Sequence, residues 1–166
     1  MQIPEVVVGI LILVALVGLK VGSQYVRVWR LKKAWHAGNQ ALEGKDLDAA
    51  ERSFRKCVKV MPIWPAGHTM LGAVLAARGE VDKAEEQFQF ASDLEPKNPE
   101  GHLGLLLFYA MHRPERPESA VEALEKAIAL DPAAPAQLRD DPRLAQLRQN
   151  PEVARLLDEA HEGQMS

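Results

Sequence analysis

At 166 residues the chain has room for one modest domain, and 26% charged residues with a net charge of -3 leave no overall excess that would point to nucleic acid. A single cysteine, Cys57, excludes an intramolecular disulfide, so the fold does not depend on an oxidising compartment. Cys57 falls at an apolar position of a predicted helix and reads as a small buried hydrophobe.

The chain opens on its most apolar stretch. Residues 6–19, VVVGILILVALVGL, carry no charged or strongly polar group. Fourteen residues are fewer than the roughly 20 that span a hydrocarbon core, and a cleaved signal peptide and a buried core helix are the competing readings. The flanks favour an anchor. No basic residue precedes the run, as a signal peptide requires, and Val21-Gly22-Ser23 only weakly resembles a cleavage site. Lys20 can snorkel, and Ile3, Val21, Tyr25 and Val26 extend the apolar surface, so residues 3–26 are expected to cross a membrane. Lys20, Arg27, Arg30, Lys32 and Lys33 follow the apolar run 6–19 and only Glu5 precedes it. The positive-inside rule then places the N-terminus outside and the rest of the chain on the cytoplasmic side. The same cations would attract anionic headgroups. Gly9 and Gly18 are not at the Gly-x-x-x-Gly spacing of a helix dimer.

Pro4 suits the first turn of a helix, and no proline follows until Pro62, so the anchor can run on into the next helix; no Pro/Gly/Ser-rich linker separates them, which supports a rigid connection, with Gly22-Ser23 as its weakest point. From residue 31 the pattern is helix, short turn, helix: 31–43 and 47–61, then 65–78 and 81–94, then 99–112 and 117–131. The last pair is joined by the longer turn Arg113-Pro114-Glu115-Arg116-Pro117. Asn98-Pro99 sets a capping amide before a proline at the first helical position. Asp141-Pro142 and Asn150-Pro151 predict two short C-terminal helices in the same way. Val153, Leu156, Leu157 and Ala160 form one apolar stripe there, against Glu152, Arg155, Asp158 and Glu159, as a capping segment requires.

Between Gly38 and Pro96 the chain repeats every 34 residues: Gly38 recurs as Gly72, Ala50 as Ala84, Phe54 as Phe88, Pro62 as Pro96. Such a period marks a stacked helix–turn–helix array, in which about three pairs are needed for stability. These residues, with Cys57 and Ala91, resemble the tetratricopeptide repeat. The third repeat is looser, with Leu106 where a small residue is expected, then Ala120, Leu124, Ala127 and Pro132, and two residues inserted in its turn. The resemblance implies an all-α, right-handed α-α superhelix. Residues 1–30 would form the anchor and basic segment, 31–132 three repeats (31–64, 65–98, 99–132), and 133–166 the capping helices and tail.

The resemblance also implies a concave groove lined by the first helix of each pair. Its positions here are Lys32, Trp35, Asn39, Leu42 and Glu43, then Ala66, Thr69, Ala73, Ala76 and Ala77, then Glu100, Leu103, Leu107, Ala110 and Met111. The floor is small and apolar in the middle and bulkier at its ends, which suits an amphipathic helix or an extended apolar segment of a protein partner. Arrays that grip chaperone C-termini use a clamp of lysine, asparagine and arginine. Only Asn39 matches it, with Trp35, Met70, Glu100 and Gly104 at the other positions. No nucleophile elbow, phosphate loop, Cys-x-x-Cys pair or His-x-x-x-His spacing is present. His68 and His102 recur at equivalent positions and read as a structural pair. The expectation is therefore a membrane-held adaptor without catalysis, cofactor, metal or nucleic-acid partner. The rivals are a self-assembling homo-oligomeric scaffold, or a receptor or assembly factor for an organelle or membrane complex.

Overall fold

The structure, a computed structural model, describes residues 5–133, 138 and 140–162, with side chains from Leu16 to Glu159. Ile3, Pro4, and the side chains of residues 6–15 in the apolar run and of Ala160 lie outside what is described. The chain is all-α and divides into two compact units, Met1–Met61 and Pro62–Ser166.

The first unit is a helical hairpin of α1 (Glu5–Glu43) and α2 (Leu47–Val60). At 39 residues, α1 is about 58 Å long at 1.5 Å per residue. As the lack of a linker implies, α1 runs through its weakest point, Gly22-Ser23, without a break. The Ser23 hydroxyl donates to the Lys20 carbonyl at 2.8 Å, inside an unbroken helix. A glycine costs a helix interior only about 1 kcal/mol, which one or two such residues do not turn into a break. Leu16, Val17, Leu19, Val21, Tyr25, Val26 and Val28 are all exposed on α1. Among the described residues no helix is long and apolar enough to cross a membrane; most of the 6–19 run precedes the described side chains.

The turn from α1 to α2 is closed by Lys45 in the left-handed region (φ 57°). Its N–H donates to the Leu42 carbonyl (3.0 Å), and Asp46 N–H to the Ala41 carbonyl (2.8 Å). These two hydrogen bonds form the Schellman pattern. Thirty-four positions on, Gly79 (φ 80°) does the same, with its own N–H on Ala76 and Glu80 N–H on Leu75. Lysine carries a Cβ penalty at this φ that glycine lacks. Lys45→Gly is therefore expected to raise stability by about 0.5–1 kcal/mol after the added unfolded-state entropy is subtracted; urea denaturation checks it, and no gain would mean that Lys45 relaxes without strain.

The second unit holds α3 (Pro65–Ala77) on α4 (Val81–Leu94), then α5 (Pro99–His112) on α6 (Pro117–Leu130), with α4 against α5. In each unit the helices of a pair meet where the repeat places a small residue opposite a large one. A Cβ on Gly38 would stand 2.7 Å from Phe54 Cζ, and one on Gly72 3.0 Å from the Phe88 ring. The third pair divides that volume differently. Leu106 and Leu124 replace the glycine and phenylalanine, and both are fully buried. The histidines are structural ties: His68 Nε2 lies 2.8 Å from the Pro62 carbonyl and Nδ1 2.9 Å from Gln87, while His102 Nε2 faces the Pro96 carbonyl at 3.4 Å. Each holds the turn that precedes its own repeat.

After α6 the sequence carries a shorter tandem repeat, QLRDDPRLA (137–145) and QLRQNPEVA (146–154). Leu138, Leu144, Leu147 and Val153 fill its equivalent apolar positions, and all four are buried. Asp141 accepts from Arg143 N–H and Asn150 from Glu152 N–H, each at 2.9 Å. Only the second copy opens a helix, α7 (Pro151–Glu162). The helix expected at Pro142 is instead a pair of 3₁₀ turns, Pro142–Leu144 and Leu147–Gln149. The two prolines are nine positions apart, and Pro151 favours an extended residue before it, so Asn150 sits at ψ 121°. What remains is too short for an α-helix nucleus to repay. This segment packs on α5 and α7 on α6. The Arg143 guanidinium and backbone N–H hold the Asp141 carboxyl down to about 2.

Candidate functional site

On α1, Lys32 and Glu43 are exposed, and Trp35, Asn39 and Leu42 are half-buried. Trp35 stands edge-on to Phe54, with centroids 5.5 Å apart at 74°. Asn39 Nδ2 donates to the Trp35 carbonyl (3.0 Å), so the one residue shared with a chaperone-tail clamp bonds its own helix.

In the second unit, α3 touches α5. Ala73 and Ala77 are exposed on α3, Ala66 and Thr69 are half-buried, and Ala76 is buried. Thr69 Oγ1 donates back to the Pro65 carbonyl (3.1 Å), so its hydroxyl hydrogen is already used. On α5 the predicted row splits: Leu103 and Ala110 are core, Leu107 is half-buried, Met111 is 47% exposed and Glu100 is exposed at the first turn. Two adjacent first helices thus present small, uncharged side chains and one flexible thioether, bordered by a carboxylate.

Two acidic residues of α4 are paired with the third repeat. Glu85 on α4 takes the Tyr109 hydroxyl (3.1 Å) and the Arg116 guanidinium (2.6 Å), and Arg113 pairs with Asp82. The two residues inserted in the third repeat therefore let its turn reach back to α4. Burial and the Glu85 charge push the Tyr109 phenol up. Burial also raises the Cys57 thiol, which is fully enclosed. Among the described residues no group of three His, Cys, Asp or Glu is placed to hold a metal ion.

One surface was not legible from net charge. Up to Met61 the chain has ten Lys and Arg against five Asp and Glu, a net +5; from Pro62 on it has ten against eighteen, a net -8. The near-neutral total hides two oppositely charged units. In the first, Arg52, Arg55, Lys56 and Lys59 recur at helical spacing on α2 and all are exposed. That periodicity is the signal that finds them. Lys56 and Lys59 line two neighbouring clefts with Arg27, Arg30 and Lys33 of α1. The larger cleft, about 880 Å³, has Gly18 and Gly22 in its wall, four residues apart and hence on one face. With neither bearing a Cβ, the wall is bare backbone flanked by Leu19, Val26 and Val60. Arg27 Nε donates to the Val60 carbonyl (2.9 Å) and so caps α2 from α1.

The architecture is that of tetratricopeptide-repeat domains. Among solved structures the chain superposes on the TPR2B domain of yeast Sti1 in its complex with pHsp70, with a TM-score of 0.57 and 17% identity over 81% of this chain and 98% of that one. It superposes equally on MamA (TM-score 0.58, 19% identity, 81% and 78% covered) and on the Arabidopsis OM64 TPR domain (0.58, 16%, 75% and 98%). In sequence it is 30% identical over 96 residues to small glutamine-rich tetratricopeptide repeat-containing protein 2 of Mycosarcoma maydis. The match takes in 58% of this chain and spans about a quarter, 27%, of that relative. No protein-family model matches the chain. The chain is thus a helical-repeat protein with the tetratricopeptide fold.

Proposed function

We propose that this chain is a non-enzymatic adaptor, held at a membrane by residues 3–26, that binds an apolar segment of a protein partner along the first helices of repeats two and three. The observation that carries the binding reading is the exposed row Ala73, Ala77 and Met111 beside half-buried Leu107, with Glu100 at its edge. Alanines leave room for a partner's side chains, methionine adapts its shape, and the carboxylate sets polarity. The Sti1 domain in complex with pHsp70 supports capture of a protein partner by this fold. A chaperone tail is not the ligand proposed here, because four clamp positions carry other residues and Asn39 is bonded to its own helix. Half-buried Trp35, with Lys32, Leu42 and Glu43, would give α1 a contact row of its own.

The anchor reading rests on the apolar run 6–19 and on the exposed apolar side chains that continue it along α1. The basic residues after it favour an outside N-terminus and cytoplasmic repeats.

A photocrosslinker at Ala73, compared with one at exposed Glu86 on α4, tests the adaptor. A discrete adduct from Ala73 alone is expected. Ala73→Arg should weaken capture about tenfold or more, because an unpaired charge placed in a desolvated contact costs a few kcal/mol. Equal labelling from both sites would sink the assignment. The opposite charges of the two units favour one second reading, self-assembly, which adducts between copies of the chain would select.

A further inference from the structure

We propose that the cleft between the N-terminal half of α1 and the C-terminal end of α2 binds an anionic phospholipid. Its headgroup phosphate would lie among Arg27, Arg30 and Lys59, and the start of its acyl chain against Gly18, Leu19, Gly22 and Val26. This rests on the reading that α1 enters a bilayer and names what the first unit meets there.

The two ends of the cleft differ in chemistry in the order a lipid needs. Toward the N-terminus of α1 the wall is apolar, with two glycines that leave open space where a Cβ would project. One to two turns further on come the guanidinium of Arg27, that of Arg30 and, from the facing helix, the Lys59 ammonium. Arg30 and Lys59 have no ion-pair partner among the described residues, and Arg27 uses Nε on Val60 and keeps its other N–H donors. Guanidinium forks match phosphate geometry. Exposed Tyr25 and Trp29 stand at the same level of α1, where interfacial aromatics belong, with Lys33 Nζ 5.2 Å from the centre of the Trp29 ring. Because α1 is unbroken and α2 ends against it at Val60, a bilayer around residues 3–26 brings Lys59 to headgroup level without any rearrangement. A nucleic acid would satisfy the cations but leave Leu19, Val26 and the glycine wall unused.

The full chain is first tested by alkaline extraction of membranes. Release into the soluble fraction would remove the anchor reading and this proposal with it. Retention lets the lipid be tested alone: the chain is placed in phosphatidylcholine nanodiscs containing a minor fraction of phosphatidylglycerol, and lipids kept after extraction are identified by native mass spectrometry. Preferential retention of phosphatidylglycerol is expected. The Arg27→Gln/Arg30→Gln/Lys59→Gln variant should lose at least about tenfold of that preference, since each cation near a membrane surface contributes roughly a factor of five. The equally charged control Lys45→Gln/Lys97→Gln/Lys126→Gln should keep it. Lys59→Glu, on an exposed position of α2, repeats the test without touching α1 should the triple variant misfold. Equal retention of both lipids, equal loss in the control, or DNA binding without lipid preference would each overturn the assignment. So would a dimer through Gly18 and Gly22 that is indifferent to lipid.

Discussion

Gly38→Leu is expected to unfold the α1–α2 hairpin or lower its stability by about 3 kcal/mol or more, the upper end of what overpacking costs, while Gly38→Leu/Phe54→Leu recovers most of the loss. Even one carbon on Gly38 would stand 2.7 Å from the Phe54 ring, which is fully buried and held edge-on by Trp35. The ring has nowhere to go. Replacing glycine in mid-helix gains only about 1 kcal/mol of propensity, so the clash decides the sign. The rescue copies the third repeat, where Leu106 and Leu124 share the space that Gly38 and Phe54 divide unequally. Four carbons are added and three removed. Phe54→Leu alone leaves a small cavity and should cost about 1–2 kcal/mol. A double-mutant cycle by thermal or urea denaturation of the full chain in mild detergent measures the coupling. Additive losses would show that the two residues do not share one volume.

That exchange also shows why the fold was legible from sequence at its pairs. Gly38, Gly72, Phe54 and Phe88 recur at a fixed period because two backbones must approach over one ring, and a sequence displays that demand directly. The helix limits followed from the same period and from local caps such as Asn98-Pro99, whose amide accepts from Glu100 N–H at 3.1 Å. Leu106 departs from the pattern, and Leu124 compensates for it. What failed to show was what depends on partners distant in sequence or on the absence of a signal. The continuity of α1 through Gly22-Ser23 is marked only by the absence of proline between Pro4 and Pro62. Lys45, and not its neighbour Gly44, occupies the left-handed position. The basic row of α2 was hidden by the total charge, and its meeting with Arg27 and Arg30 depends on how two helices cross, not on either alone. For the groove, the repeat assigned α5 residues to one surface, yet Leu103 and Ala110 are in the core. The pattern fixes which turn of the helix a residue occupies, not how deeply its neighbours cover it.

Ending the chain at Ala133 is expected to abolish cooperative unfolding of the second unit. Six buried apolar side chains lie beyond that point: Leu138, Leu144, Leu147, Val153, Leu156 and Leu157. Burying each is worth about 1.5–3 kcal/mol, so together they rival the 5–15 kcal/mol that holds a whole domain. Part of that is offset, because the truncated chain no longer has to order the segment. The faces left open on α5 and α6 still lose their cover. Binding of a hydrophobic dye and a broad thermal transition are the expected signs. Leu144→Ala isolates one member, at about 2–5 kcal/mol, and keeps every hydrogen bond of the Asp141 turn. A tail that serves only a partner predicts the opposite: an unchanged midpoint in both variants and dye binding no higher than in the intact chain. The tandem repeat argues for the cap. Its two copies place their leucines and valine toward one core, and both use an Asx–Pro turn to return the chain to it, a device that a free recognition tail has no need of.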